Sequence, residues 1–268
     1  MERVFKFVRK TIITSSSTKF LLTNFKLLLL CLTTIQLQAA ETGGLRLKAG
    51  LGFGMALKNN LRFDNDYINL DRSTVLSSIP MVMLFYGPIS LGQNGLNLGF
   101  IGNRDRSAFL NFNRYGERYY GPLMDRRKES WFGSLGVKWD EWALVLGRDL
   151  MGRSQGIRSQ LSYTYVKNYD DQSMLRASAF LEFLDGQFVN YYYGVRAHEV
   201  NAWRSIYTPG ATFIPGMGLF YAPRFFEHLS LNLGAVLKYI PSEIKKSPTT
   251  KGTDFETTMI AGAMWNFN

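Results

Sequence analysis

The sequence predicts an all-β fold, an antiparallel transmembrane β-barrel of the outer-membrane type, with 12 strands favoured and 10 possible. Three observations predict it. The first is the terminal stretch, in which Phe255, Thr257, Met259, Ala261, Ala263, Trp265 and Phe267 fall on one side of a period-two pattern. Six of those seven are apolar, while the alternate set, from Glu256 to Asn268, is smaller and more polar. At roughly 3.3 Å per residue such a strand crosses a hydrocarbon layer, and its greasy face needs lipid rather than water. The second is that the same alternation recurs along the chain between polar loops. The third is that no stretch after residue 40 approaches the ~20 consecutive apolar residues of a spanning helix. An aromatic content of 15% and 25 Gly among 268 residues suit such a barrel, the aromatics at interfaces and the glycines at close strand contacts.

Residues 1–40 read as an export signal that is removed, leaving 41–268 as the barrel domain. The segment has a basic beginning (Arg3, Lys6, Arg9, Lys10), an apolar core from Leu27 to Leu37, and small residues at Ala39 and Ala40. The single cysteine, Cys31, lies in that core, preceded by Leu rather than by the small residue a lipidation site prefers. Six of the 31 Lys/Arg and one of the 21 Asp/Glu lie in this segment, so the remainder carries +5 rather than +10. That excess is too small to point to a nucleic-acid partner.

The clearest strand is the first. Leu45 to Leu57 alternate with Arg46, Lys48, Gly50, Gly52, Gly54, Ala56 and Lys58. The second set suits a wet lumen. Its Gly50-Leu51-Gly52-Phe53-Gly54 run sits mid-strand with no helix after it, so it is not a phosphate loop. Residues 59–72 are a polar loop. Leu76 to Tyr86 is a strand whose Pro80 marks an edge, a bulge or an irregular end. Gly87-Pro88 is a turn. Strands follow around Leu96–Phe100 and Ala108–Phe112, then a charged loop over 114–129. Trp131 to Trp139 and Trp142 to Leu146 flank Asp140-Glu141, with the paired tryptophans resembling an interfacial girdle. Ile157–Val166 and Leu175–Phe183 form a hairpin, and 184–209 reads as irregular. Ala211–Tyr221, Leu229–Tyr239, a charged loop over 242–254 and the terminal strand complete the chain. The tally is eleven. An outer-membrane barrel has an even number, with short turns on the periplasmic side. The odd count traces to the region between Gly43 and Asn113, where four candidates stand and the topology needs an odd number.

Several pieces, taken in order, resemble the MipA/OmpV family, named for MltA-interacting protein. They are Asp125-Arg126-Arg127-Lys128-Glu129-Ser130 before a strand, Gly147-Arg148-Asp149-Leu150 before Gly156-Ile157, Tyr191-Tyr192-Tyr193-Gly194-Val195, and the closing pattern with Ser247-Pro248 ahead of the last strand. The resemblance spans most of 43–268. The family usually finishes on the aromatic, whereas here Asn268 follows Phe267. The resemblance implies an outer-membrane scaffold that brings a murein transglycosylase together with a bifunctional murein synthase. Other members are described as adhesins or small porin-like proteins.

Chemistry-bearing clusters are sparse, so neither catalysis nor a cofactor nor a metal is expected. His198-Glu199 reads as a solvated loop pair without a second His at ligand spacing, and His228 as an interfacial side chain. Ser205, His198 and Asp185 are a nominal triple of the kind any chain this long offers. The basic residues Arg104, Arg106, Arg114, Arg118, Arg126, Arg127 and Lys128 are expected in loops that are extracellular or near the rim. Of these, Arg126, Arg127 and Lys128 are the candidate contacts to lipopolysaccharide phosphates, since guanidinium forks match phosphate geometry. Inward Arg46, Lys48, Lys58, Lys138, Arg158, Arg176 and Lys238 would give a lumen that favours anions.

Overall fold

The computed structural model describes residues 47–63, 74–92, 95–103, 105–224 and 226–267. Twelve antiparallel strands close into a barrel in which each pairs with its sequence neighbours: β1 (Leu47–Asn59), β2 (Thr74–Tyr86), β3 (Ile89–Gly92), β4 (Gly95–Gly102), β5 (Arg106–Tyr115), β6 (Ser130–Trp139), β7 (Trp142–Asp149), β8 (Ile157–Asn168), β9 (Met174–Leu184), β10 (Thr212–Ala222), β11 (Leu229–Tyr239) and β12 (Phe255–Phe267). β12 returns to β1, with Ala49 opposite Phe267 and Lys58 opposite Thr258, so the terminal strand closes the wall as the alternation predicts. The expected signal segment 1–40 lies outside the described residues, as do Arg46, Arg104 and most of the polar loop at 59–72.

The period-two pattern sorts the side chains. Leu51, Phe53, Met55 and Leu57 point outward from β1, with Phe53 59% exposed, and outward residues of the other strands repeat this. Met217, Met259 and Trp265 are similarly bare. An apolar surface that encircles the molecule far exceeds the patch of a few hundred Å² usual on soluble proteins. No described helix is long and apolar enough to cross a membrane, so any crossing by the described residues is made by strands. Aromatics mark the two rims. Trp139 faces Trp142 across the Asp140-Glu141 turn, and Trp142 packs edge-on to Tyr163 at 5.1 Å. At the other rim Tyr239 meets Phe255 at 5.8 Å.

Short turns at 87–88, 103–105, 140–141, 169–173 and 223–228 share one end with the outer limits of β1 and β12. The start of the connection after β1, described to Phe63, and longer connections at 116–129, 150–156, 185–211 and 240–254 occupy the other. In barrels of this type the first end is periplasmic and the second extracellular.

Three expectations are corrected. The odd count arose from overlooking β3, four residues hidden behind the Gly87-Pro88 turn and too short to show a period. The stretch read as irregular holds a helix, α1 (Gly186–Tyr193), and the 242–254 loop holds a single turn, α2 (Ser242–Lys245). Arg106 belongs to the periplasmic end, where it pairs with Asp140 at 3.5 Å, and not to an exposed outer loop.

If lipid covers the outer wall, Phe53→Arg, near the middle of β1, is expected to lower the unfolding free energy by about 2–4 kcal/mol in lipid vesicles. Guanidinium titrations of vesicle-embedded protein measure this; an unchanged midpoint would show that Phe53 does not meet hydrocarbon.

Candidate functional site

The extracellular connections fold inward over the mouth of the barrel. α1 starts because Asp185 accepts a hydrogen bond from the Phe188 amide at 2.8 Å, a capping interaction typically worth ~1 kcal/mol. It presents Phe188, Val189 and Tyr192 to Phe132, Leu184 and Ile214 of the wall and to Leu61, Ile240 and Ile244 of neighbouring connections. Tyr115, Phe132 and Phe188 form a ring cluster with centroids 5.5–6.0 Å apart. Gly116, at φ +104°, lets the chain pass against the Tyr192 hydroxyl, where a side chain would collide.

Polar groups lock this lid. The fully buried Arg62 donates to Glu117 (2.7 Å), Thr249 Oγ1 (2.7 Å) and the Tyr192 carbonyl (2.9 Å), and lies between the rings of Tyr119 and Tyr193. Burial pushes the Tyr193 phenol well up, and the Glu117 charge adds to it, so the ring stays neutral beside the guanidinium. Arg127, 1% exposed, pairs with the fully buried Glu199 at 2.8 Å and donates to the Asp125 carbonyl at 3.2 Å. Arg204 reaches the carbonyls of Glu199 (3.0 Å) and Pro122 (2.7 Å), fastening 197–204 to 116–129. Asp149 closes the 150–156 connection by accepting from Met151, Ser154 and Gln155 amides.

Asp125, His198 and Glu199 bring three possible ligand atoms within 4.8 Å of one another. Both Glu199 oxygens and Asp125 Oδ2 are already committed. Glu199 accepts from Arg127, the Arg196 amide and the Asp125 amide, and Asp125 Oδ2 from Arg196 and His198. A cation there would face two guanidinium groups, so the cluster is an ion-pair clamp. Glu199 is accordingly not the solvated loop residue expected. His198 does stand exposed, 3.0 Å from Asp125. Asp185 and His198 of the nominal triple engage different partners.

The expected phosphate contacts separate. Arg127 is committed inward and unavailable to a lipid headgroup, because its buried charge needs Glu199. Arg126 is exposed and stacks on Tyr120, and Lys128 is exposed. Lys128 instead joins Arg114, Arg118 and Arg153 around a groove of about 400 Å³ beside Trp131 and Met151. Glu129 pairs with Arg114 and Arg118 there, leaving the groove net positive. Arg114 lies opposite the outward Trp131, so the groove faces the rim aromatics. The sequence reading missed Arg153, whose spacing from Arg114 gives no local signal. Of the lumen cations, Lys58 pairs with Glu256 (2.8 Å) and Arg158 with Glu182 (2.8 Å).

Comparison with known proteins adds the following. The family model described as MltA-interacting protein MipA matches residues 41–267. Similar solved structures include the NanC porin (9% identity, 82% of this chain and 99% of that one, TM-score 0.37) and Acinetobacter baumannii Omp33 (10%, 84% and 100%, 0.33). Neisserial surface protein A is also similar (10%, 84% and 99%, 0.27). No curated protein matches the sequence significantly.

Two outcomes are expected of the clamp. Glu199→Ala leaves Arg127 buried without a counter-charge and should weaken the lid by about 3–5 kcal/mol, read as lost amide-exchange protection over 118–129 and 195–204. Burial alone would raise the Glu199 carboxyl, but hydrogen bonds from Arg127 and two amides outweigh it and hold the group below its ordinary value. A depressed carboxyl contributes stability above its unfolded value and loses it as pH falls through the folded one. The same protection should therefore persist at neutral pH and fade below about pH 4.

Proposed function

The chain belongs to the MipA family and is an outer-membrane β-barrel protein, and on that premise we propose that it is a non-enzymatic scaffold for murein-processing enzymes. The partners would be a murein transglycosylase, as the description MltA-interacting protein suggests, and a bifunctional murein synthase. The observation that carries this reading is the lid. A barrel whose outer mouth is packed with Phe132, Phe188, Tyr192 and Ile244 is built to hold a position rather than to pass solutes freely. Tethering both enzymes to one membrane protein raises their mutual concentration without new contacts between them.

The periplasmic turns supply the contact points. In the 223–228 turn Phe226 is 69% exposed, on a loop braced by the Arg224 guanidinium, which donates to the carbonyls of Phe226 and Glu227. An exposed aromatic on a braced turn suits the anchor of a small interface.

The alternative of a narrow anion-preferring channel draws on Lys48, Lys138 and Lys238, which share the inward parity of their strands, but Glu256 and Glu182 offset Lys58 and Arg158. A surface adhesin is supported by a different observation. Trp203 (88% exposed), Leu123 (77%) and Ile206 lie bare on the lid segments that Arg204 fastens together. At the rim, the groove of Arg114, Arg118, Lys128 and Arg153 has the charge and fork geometry for lipopolysaccharide phosphates.

Detergent extracts should yield a murein transglycosylase or synthase on pull-down, with recovery reduced several-fold by Phe226→Ala; neither enzyme in the eluate would sink the scaffold. Planar bilayers should show no steady conductance, and stable anion-selective steps would favour the channel instead. Replacing Arg114, Arg118 and Arg153 with Ala should reduce co-purifying lipopolysaccharide, whereas Arg126→Ala alone should change it little.

A further inference from the structure

On one side the barrel wall is low. β2 has 13 residues, but only Leu84, Phe85 and Tyr86 pair with β3, which has four. Among the described residues, no strand pairs with Thr74–Met83 of β2 on that side. β4 begins only at Gly95, and β5 above Phe112 has no partner on β4. Pro80 sits in the bare part of β2, where a residue without an amide hydrogen leaves no donor unpaired. An open strand edge is not tolerated against lipid unless it lines a cavity.

It does line one. A cavity of about 590 Å³ reaches this gap, within the ~300–1,000 Å³ typical of small-molecule sites. Its lining includes Val82 and Leu91, which share the outward parity of their strands, and Met81, Met83 and Phe85, which share the inward one. Both faces of a wall border one cavity only where the wall is open. The cavity then runs inside to Phe220, Val236, Ile260 and Met264. Methionine-rich linings of this kind adapt to flexible apolar chains.

Two polar groups in this lining lack partners. The Arg176 guanidinium stands 4.6 Å over the Phe220 ring and, unlike Lys58 and Arg158, has no ion pair or hydrogen bond among the described residues. Asn232 Nδ2 is buried and unbonded. No Asp or Glu lines the cavity among the described residues. A part-buried cation and an idle amide donor on apolar walls are matched by an anionic head on an alkyl chain. Arg176 lies near the periplasmic start of β9, so the head sits low and the chain extends toward the gap.

We propose that the lumen binds a single-chain anionic amphiphile, its head on Arg176 and Asn232 and its alkyl chain passing beside the unpaired Thr74–Met83 edge of β2 into the membrane. Long-chain carboxylates and lysophosphatidates share that chemistry. The proposal is independent of the scaffold reading, which the pull-down decides.

The probe is cis-parinarate, a fluorescent polyene carboxylate, titrated into purified protein in non-ionic detergent. Oleate, lysophosphatidate and neutral oleyl alcohol serve as competitors. Arg176→Gln should weaken parinarate by about tenfold or more, with Arg176→Lys retaining most of the affinity and oleyl alcohol competing equally in all three. Gly92→Trp tests the side exit. Gly92 lines the cavity at the end of β3 and a Cβ there would meet only the Val82 carbonyl, at 3.7 Å, so a bulky side chain at that edge should also weaken binding. Far-UV circular dichroism checks that each variant is folded. Displacement by oleate alone identifies a carboxylate head, and by lysophosphatidate alone a phosphate head; either supports the proposal. Failure of both to displace the probe, or unaltered binding by folded Arg176→Gln, would overturn it. Unaltered binding by folded Gly92→Trp would overturn the lateral route.

Discussion

Hydrocarbon offers the backbone no hydrogen-bond partner, and every large feature of this molecule answers to that. An amide or carbonyl left bare in lipid costs several kcal/mol, so a chain that crosses on strands must pair each with two neighbours and close the ring. Twelve strands in sequence order do this, except along Thr74–Met83 of β2, where the open edge lines a cavity, and β12 returns to β1 over ten paired positions. Closure in turn fixes the side chains. Once one strand is placed, period two decides for all the others which residues meet lipid and which meet the lumen.

Away from lipid a different constraint takes over. Buried cations need counter-charges in good geometry, and the lid supplies them one by one: Glu117 for Arg62 and Glu199 for Arg127. Contrast Arg106 and Asp140 on the opposite end. Both are largely exposed, and such a pair contributes at most about 1 kcal/mol. The two ends therefore differ in kind. One is a set of short, solvated turns, and the other is a packed core assembled from connections, with buried ion pairs dictating which segment meets which.

What the sequence disclosed follows the same division. β1, β6, β11 and β12 were legible because one of their faces meets lipid, and lipid imposes a clean alternation. β3 was not, since Ile-Ser-Leu-Gly is too brief to show a period and only the parity of the count betrays it. α1 was hidden by composition. Its Phe, Val and three Tyr favour strands, and eight residues show barely two turns of a helical stripe. Asp185, three residues before Phe188, was the available signal. The lid was illegible for a stronger reason. Whether Arg127 is solvated or buried depends on Glu199, 72 positions away, and nothing local records that distance. Hence a run of three basic residues read as one surface, although its middle member points into the protein.

Arg62 illustrates what such wiring entails. One guanidinium from the connection after β1 touches Glu117 in the 116–129 connection, the Tyr192 carbonyl of α1 in the 185–211 connection, and Thr249 in the 240–254 connection. The outer surface is therefore not a set of modules on a neutral frame. Grafting a foreign peptide into one of these connections would disturb all four, and sequence drift in any of them is tied to compensating drift in the rest.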